Sequence, residues 1–282
     1  MAENARHPDS GMVPPSEATA GSPMRSSWQV TWSVWHALFL REVLARTTAN
    51  RFAWLWMLVE PLLFVVVWLA MHSLMGRVDV ITGADYIPWL LVGITGFFVF
   101  REGVQRSVGA VQSNQALFTY RQVKPVDPVL VRNALEGLLK TIVLVLLILG
   151  ASLMGYDTLP DTPLLALLAW VTLWLLGLGS GLIVSVGAAL IPEIALAVRI
   201  AMLPLFVVSG AISPLQLLPP DIQEILSYNP VLHGVEYLRL AFFADYQSLD
   251  RVSALFLGYW VLALLVIGLA LHVRFARRLQ TK

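Results

Sequence analysis

Long apolar stretches separated by short polar connections dominate the chain. A helix needs about 20 apolar residues to cross a bilayer core of about 30 Å. Six stretches approach that length, at residues 54–75, 86–111, 133–154, 164–190, 195–212 and 252–273. The pattern therefore predicts an all-α integral membrane protein with six transmembrane helices.

The N-terminal region divides into two parts. Residues 1–27 mix Pro, Gly, Ser and charged residues without an apolar core, which predicts a disordered cytosolic tail and excludes a signal peptide. Residues 28–47 then carry large side chains at helical spacing, at Trp28, Trp32, Trp35, Phe39 and Val43. Three tryptophans followed by arginines favour an amphipathic helix in the lipid headgroup layer. The alternative is a helix packed in a core.

The basic residues are distributed unevenly between the two sides of the predicted spans. Of the 19 Lys and Arg residues, all but Arg77, Arg239 and Arg251 fall on one side, which the positive-inside rule assigns to the cytosol. Both termini are then cytosolic, in agreement with an even number of spans. Because Arg101, Glu102 and Arg106 occupy the end of the second segment, we expect that helix to leave the membrane near Phe100 and continue into water.

Two connections are long enough to form structures of their own. The cytosolic one is basic and contains Pro125 and Pro128, which predicts a short helix held between rigid turns. In the extracytoplasmic one, "IQEILSY" and "GVEYLRLAFF" predict short helices between the fifth and sixth segments. One interpretation is that these helices dip partway into the membrane and return. Polar backbone at that depth must line a cavity or pack against protein. The alternative is a surface cap.

Composition restricts the function. Hydrophobic residues make up 57% of the chain and charged residues 13%, against about 25% charged residues in soluble domains. The net charge of +1 gives no reason to expect nucleic acid, and the absence of Cys removes thiolate chemistry. No lysine follows a glycine, so the chain lacks the phosphate-binding loop of ATPases. The five histidines are scattered, so neither a metal site nor catalytic residues are predicted, which disfavours an integral membrane transferase. A passive channel remains a further alternative.

Several motifs together resemble the membrane subunit of ABC-2-type polysaccharide exporters. They are "RTTANRF" followed by "LWMLVEPLL", then "VKPVDPVLVRN", then "SGAISPLQLLP" leading to "NPVLHGVEYLR". The resemblance covers about residues 28–275, so residues 28–282 are taken as one ABC-2-type transmembrane domain. The Glu60-Pro61 pair is most similar to the capsular polysaccharide branch, with O-antigen and teichoic-acid exporters as alternatives. One departure is Pro192-Glu193, where many relatives carry Arg-Asp.

The resemblance implies an assembly and a location. It implies a homodimer in a bacterial inner membrane that exports lipid-linked capsular polysaccharide, powered by two separate ATPase subunits. ATP and Mg would be bound by those subunits and no cofactor by this chain, and periplasmic or outer-membrane partners would continue the path. The first and fifth helices would line that path. The coupling segment would be Tyr120, Arg121, Val123, Lys124, Pro125, Val126, Asp127 and Pro128.

A carboxylate and a proline interrupt the first apolar segment at Glu60 and Pro61. A buried charge there is costly, and Pro61 frees a backbone carbonyl. The hypothesis is an inner gate in which Glu60 pairs with Arg46 or Arg51 when the path is closed. The alternative is that Glu60 only fixes the first helix in place. By helical spacing, the candidate path residues on this segment are Trp56, Glu60, Leu63, Phe64, Val67 and Met71.

Overall fold

The computed structural model describes residues 26–49, 53–74 and 81–281, and over these ranges the chain is helical and contains no β-strand. The predicted tail up to residue 25 lies outside the described residues. Two short 3-10 helices occur, at Gln112–Thr119 and Leu215–Leu217. The α-helices are α1 Ser27–Ala49, α2 Ala53–Leu74, α3 Tyr86–Val108, α4 Asp127–Leu153, α5 Pro163–Leu190, α6 Glu193–Val208, α7 Pro220–Leu226, α8 Pro230–Phe242, α9 Ala254–Arg274 and α10 Ala276–Thr281.

Within the described residues, four helices, α3, α4, α5 and α9, are long and apolar enough to cross a membrane. The apolar part of α2, Leu55–Met71, is shorter, and α6 has 16 residues. At 1.5 Å per residue, α6 is about 24 Å long, less than a bilayer core. Helix α6 ends at Val208, four residues before the end of the predicted fifth segment, 195–212. The chain turns just after it at Gly210, which has a φ of 70°.

Helix α3 forms the centre of the bundle, and α2, α4, α5, α6 and α8 pack around it. Its side chains Trp89, Ile94 and Phe97 are fully buried. Helices α3 and α5 approach closely at Gly181, where a Cβ atom would lie 2.4 Å from the Ser107 Oγ. A larger residue would push the two helices apart, so small residues set this spacing.

The two short helices predicted after the fifth segment are both present, as α7 and α8. Helix α7 buries none of its residues, whereas α8 packs against α3 and α5. Leu232, Val235 and Leu238 of α8 are fully buried. Helix α8 therefore packs within the bundle, whereas α7 lies on its surface.

The connection between α3 and α4 contains one short helix, the 3-10 helix Gln112–Thr119. No separate helix forms over residues 120–132, where the prolines lie. Instead α4 begins at Asp127 and continues without interruption to Leu153, and the 3-10 helix precedes the prolines. Pro128 occupies the first turn of α4, where a missing N–H breaks no hydrogen bond of the helix.

Helix α1 packs against α4. The Trp35 Nε1–H donates to the Asp127 Oδ1 at 2.9 Å and so ties α1 to the first residue of α4. Farther along the predicted aromatic face, Trp28 and Trp32 are exposed. Exposed tryptophans beside a packed face are compatible with the headgroup position predicted for α1, which stays a prediction.

Candidate functional site

Glu60 lies on α2 and forms an ion pair with Arg101 of α3. Its other carboxylate oxygen, Oε2, lies 3.8 Å from the Lys140 Nζ of α4. A charged residue at the centre of a membrane helix costs about 2.5 to 3.5 kcal/mol on insertion scales, and less nearer the surface. Two cations therefore offset the cost of the Glu60 charge, and the contact joins three helices.

The Glu60 pair belongs to a larger set of contacts, here called the ion-pair network. Arg101 Nη2 donates to the Glu102 Oε1 at 2.7 Å, and Arg106 Nε lies 3.3 Å from Glu102 and 3.0 Å from Glu136. Glu136 of α4 also contacts Arg46 of α1. The members of the ion-pair network are Glu42, Arg46, Glu60, Arg101, Glu102, Arg106, Arg132, Glu136 and Lys140.

The network connects the N-terminal part of α4 to α2. Arg132 lies in the second turn of α4, five residues after Asp127, and its Nε lies 3.1 Å from the Glu42 Oε1 on α1. From Glu42 the contacts continue through Arg46 and Glu136 to α3 and end at Glu60. Charged contacts thus form a continuous series from the second turn of α4 to α2.

The structure corrects one of the two predicted partners of Glu60. Arg46 does not contact Glu60 but pairs with Glu136, because α1 packs on α4. The other predicted partner, Arg51, lies outside the described residues.

The prediction that α3 continues into water is also wrong for Arg101 and Glu102. Their side chains are only 14% and 10% exposed, because α2 and α4 cover this end of α3. Arg106, one turn farther on, is half exposed.

A polar cavity of about 470 Å³ opens beside the network, between α2, α3 and α6. It is lined by Trp56, Glu60, Arg101, Glu102, Gln105, Arg106, Val108, Ala195, Val198 and Arg199. The cavity brings together two predicted path residues, Trp56 and Glu60, with the helix that corresponds to the predicted fifth segment. It thus offers a polar space with fixed charges beside the ion-pair network.

The other predicted path residues are divided between two environments. Phe64 belongs to an aromatic cluster, with its ring centroid 5.4 Å from Phe98 and 5.6 Å from Phe206. Pro61 is buried, whereas Met71 is exposed. Phe64 and Pro61 therefore pack α2 against its neighbours instead of lining an open stripe.

The predicted coupling residues divide in the same way. Tyr120, Arg121 and Lys124 are exposed, and Val126 is partly buried. The buried members are Val123, Pro125, Asp127 and Pro128. The Asp127 carboxylate accepts the backbone N–H of Lys124 at 2.7 Å in addition to the Trp35 Nε1–H.

A second buried group of polar residues, here called the α8 network, lies at the other end of α3. Arg239 Nη1 donates to Glu236 at 2.8 Å and to the Gly210 carbonyl at 2.7 Å, while Nη2 donates to the Ala211 carbonyl at 2.9 Å. The Arg239 guanidinium carbon lies 3.4 Å from the centroid of the Trp89 ring. These contacts fasten α8 to the turn after α6 and to α3.

Two hydroxyl groups complete the coordination of Glu236. The Tyr246 hydroxyl donates to Glu236 Oε2 at 2.9 Å and the Ser248 hydroxyl donates to the same atom at 2.7 Å. Burial, reinforced by the Glu236 charge, raises the pKa of Tyr246 to about 12, so the phenol keeps the proton it donates.

Sequence reasoning missed several residues of both networks. Glu136 and Lys140 were visible as charges inside the third apolar segment, and their spacing of four puts them on one face of α4. Glu236 and Arg239, three apart on α8, carried the same signal. Charges within apolar segments would have identified both sites.

Comparisons with known proteins show the family of the chain. The sequence profile of the ABC-2 type transporter family matches residues 33–243. Polysialic acid transport protein KpsM of Escherichia coli is 34% identical over 253 residues, covering 88% of this chain and 95% of KpsM. Capsule polysaccharide export inner-membrane protein CtrC of Neisseria meningitidis serogroup B is 28% identical, over 86% of this chain and 91% of CtrC. Capsule polysaccharide export inner-membrane protein BexB of Haemophilus influenzae is 27% identical, over 91% of this chain and 96% of BexB. The chain belongs to the ABC-2 type transporter family.

Proposed function

We propose that this chain is the permease subunit of an ABC transporter that exports capsular polysaccharide across the bacterial inner membrane. As a member of its family, it is a transport subunit and not an enzyme, and the ATPase is a separate subunit. The substrate is proposed from the names of the relatives, which match over nearly their whole length. The observation that carries the transport route is the polar cavity beside Glu60.

The proposed topology has six membrane-crossing helices, namely α2, α3, α4, α5, α6 and α9, with both termini in the cytosol. The sidedness of Lys and Arg supports the orientation. Helix α1 would lie in the headgroup layer, where Trp28 and Trp32 would contact lipid. Helices α7 and α8 would form the re-entrant element, supported by the burial of α8 between α3 and α5.

We further propose that two copies of the chain form the path between them. Helices α2 and α6 both present apolar side chains that this chain leaves exposed, among them Leu63 and Val67 on α2 and Leu196, Ile200 and Leu203 on α6. Contiguous exposed apolar surface indicates contact with lipid or with another protein. Export partners in the periplasm and outer membrane would receive the polymer.

The energy is proposed to come from two ATPase subunits that bind ATP and Mg, while this chain binds no cofactor. The purified chain alone is therefore expected to hydrolyse no ATP. A complex with its ATPase in proteoliposomes is expected to move polymer in an ATP-dependent manner. ATP hydrolysis by the isolated chain, or ATP-driven transport without the ATPase, would contradict the proposal.

A matched genetic experiment tests the substrate. Deleting the gene is expected to remove capsular polysaccharide from the cell surface and to leave polymer inside the cell, because synthesis continues while export stops. Surface and intracellular polymer are measured with and without the restored gene. Retention of normal surface capsule in the deletion strain would rule out this substrate.

The exposed residues Tyr120, Arg121 and Lys124 are the best candidates for contact with the ATPase. Reversing both charges, with Arg121→Glu and Lys124→Glu, is expected to weaken co-purification of the ATPase by about tenfold or more, or about 1.4 kcal/mol. The chain should still insert into the membrane, because both side chains are exposed. Quantitative pull-down and membrane fractionation measure the two properties.

The control is Arg251→Glu, an exposed basic residue on the opposite predicted side, which should leave co-purification unchanged. Asp127 is unsuitable for this test because its buried carboxylate holds the α1 to α4 junction. Unchanged co-purification by the double reversal would place the docking surface elsewhere.

A further inference from the structure

Arg199 occupies an unusual position on α6. It lies six residues after Glu193, the first residue of α6, or about 9 Å along the helix axis. Its neighbours on α6 include the exposed apolar residues Leu196, Ile200 and Leu203. An arginine on an otherwise apolar membrane helix is costly unless it faces water, a partner or a ligand. Arg199 is exposed and lines the polar cavity.

The other charged residues that line this cavity have partners within the chain. Arg101 contacts Glu60 and Glu102, and Arg106 contacts Glu102 and Glu136. Among the described residues, no carboxylate lies within ion-pair distance of Arg199. Within the described part of the chain, three arginines and two glutamates line the cavity, and Arg199 is the arginine of this set that has no carboxylate partner.

A free guanidinium selects a particular ligand chemistry. Its five N–H donors form a planar fork that matches the two oxygens of a carboxylate or phosphate. Trp56, also on the cavity wall, can pack against the apolar C–H face of a sugar ring. The cavity thus combines one anion-binding group with one surface suited to a sugar.

We propose that Arg199 binds an anionic group of the glycan as it enters the polar cavity; this inference rests on the proposed export function. The group is either the carboxylate of an acidic sugar within the polymer or the phosphate at a lipid terminus. Arg199 then acts as a specificity-determining residue for anionic over neutral substrates.

The first test measures binding to the complex of this chain with its ATPase in lipid nanodiscs. The anionic probes are hexagalacturonate, compared with its neutral methyl ester, and dodecyl phosphate, compared with dodecyl maltoside. Arg199→Gln is expected to weaken binding of at least one anionic probe by about tenfold and to leave the neutral probes unchanged. Isothermal titration calorimetry gives the four dissociation constants.

The variants separate charge from folding. Arg199→Lys retains the charge and should retain part of the affinity, whereas Arg274→Gln removes an exposed charge at the end of α9 and should change nothing. A loss confined to hexagalacturonate identifies the sugar carboxylate, and a loss confined to dodecyl phosphate identifies the lipid phosphate. Equal affinities of Arg199→Gln and the wild type for both anionic probes would overturn the inference.

A transport assay distinguishes this inference from the proposed function. In proteoliposomes the wild-type complex should export the acidic polymer, and Arg199→Gln should reduce export at limiting substrate with less effect at saturation. No ATP-dependent export by the wild type would refute the proposed function. Normal export by Arg199→Gln at limiting substrate would refute only the role of Arg199.

Discussion

Arg239→Met is expected to destabilise the protein by about 3 to 5 kcal/mol, the usual cost of removing one partner from a buried ion pair. Arg239 is fully buried and Glu236 is 1% exposed. Without the guanidinium, the Glu236 charge keeps only the Tyr246 and Ser248 hydroxyl donors. The Gly210 and Ala211 carbonyls would also lose a donor. We therefore expect a large fall in the temperature of unfolding in detergent.

The matched control is Arg251→Met, which removes an arginine that is 56% exposed and pairs with Glu224 at 3.4 Å. Exposed pairs contribute about 0 to 1 kcal/mol, so this variant should unfold close to the wild-type temperature. The double variant Glu236→Gln with Arg239→Met should recover part of the loss, because no unpaired charge remains buried. Equal unfolding temperatures for Arg239→Met and Arg251→Met would show that the α8 network does not hold the bundle together.

Gly93 provides a further check of the same network. A Cβ atom at this position would lie 2.1 Å from the Arg239 Nη2 and 2.5 Å from the Ala211 carbonyl oxygen. Gly93→Ala should therefore displace the Arg239 guanidinium and, like Arg239→Met, lower the temperature of unfolding. The glycine is needed here because the guanidinium lies directly against the backbone of α3.

Hydropathy predicted the bounds of α5 and α9 well, because in both helices the apolar residues extend over nearly the whole length. The predicted segments 164–190 and 252–273 match α5 at Pro163–Leu190 and α9 at Ala254–Arg274 within two residues at each end. Here local signals suffice, because Pro163 and Ser253 mark the starts and apolar length sets the rest. The third segment, predicted from residue 133, starts earlier because α4 already begins at Asp127, and the charges of Asp127 and Arg132 lower the hydropathy of its first turns.

Partner choice within the candidate site could not be predicted from the sequence. Which arginine meets Glu60 depends on how α2 packs against α3, and Arg101 is 41 residues away in the chain. Arg46 was nearer in sequence, yet the packing of α1 on α4 directs it to Glu136. Sequence reasoning identified Glu60 as unusual, and tertiary packing determines its partner.

Glu60→Gln is expected to lower export of polysaccharide about tenfold, which corresponds to about 1.4 kcal/mol. The amide keeps the size of the side chain but loses the charge that holds Arg101 and faces Lys140. If the Glu60 to Arg101 pair closes the inner gate, its loss alters the balance between closed and open states without unfolding the chain. Surface polymer is measured at matched protein levels, together with co-purification of the ATPase, which should be unchanged.

A double-mutant cycle separates pairing from a general effect of charge. Contacting residues usually show interaction energies of about 0.5 to 3 kcal/mol, so Arg101→Gln should harm the Glu60→Gln chain less than it harms the wild type. The carboxylate control is Glu193→Gln, an exposed residue at the start of α6, which should export normally. Replacing Arg46 should not couple to Glu60 in the same way, because Arg46 contacts Glu136.

The outcome decides between a gate and a structural role for Glu60. A gate predicts low export with normal unfolding temperature and normal ATPase binding in Glu60→Gln, and partial recovery in the double variant. A structural role predicts that any loss of export follows the loss of folded protein. Normal surface polysaccharide from Glu60→Ala cells at normal protein levels would show that the carboxylate is dispensable for export, and the ion-pair network would then serve only to hold α1, α2, α3 and α4 together.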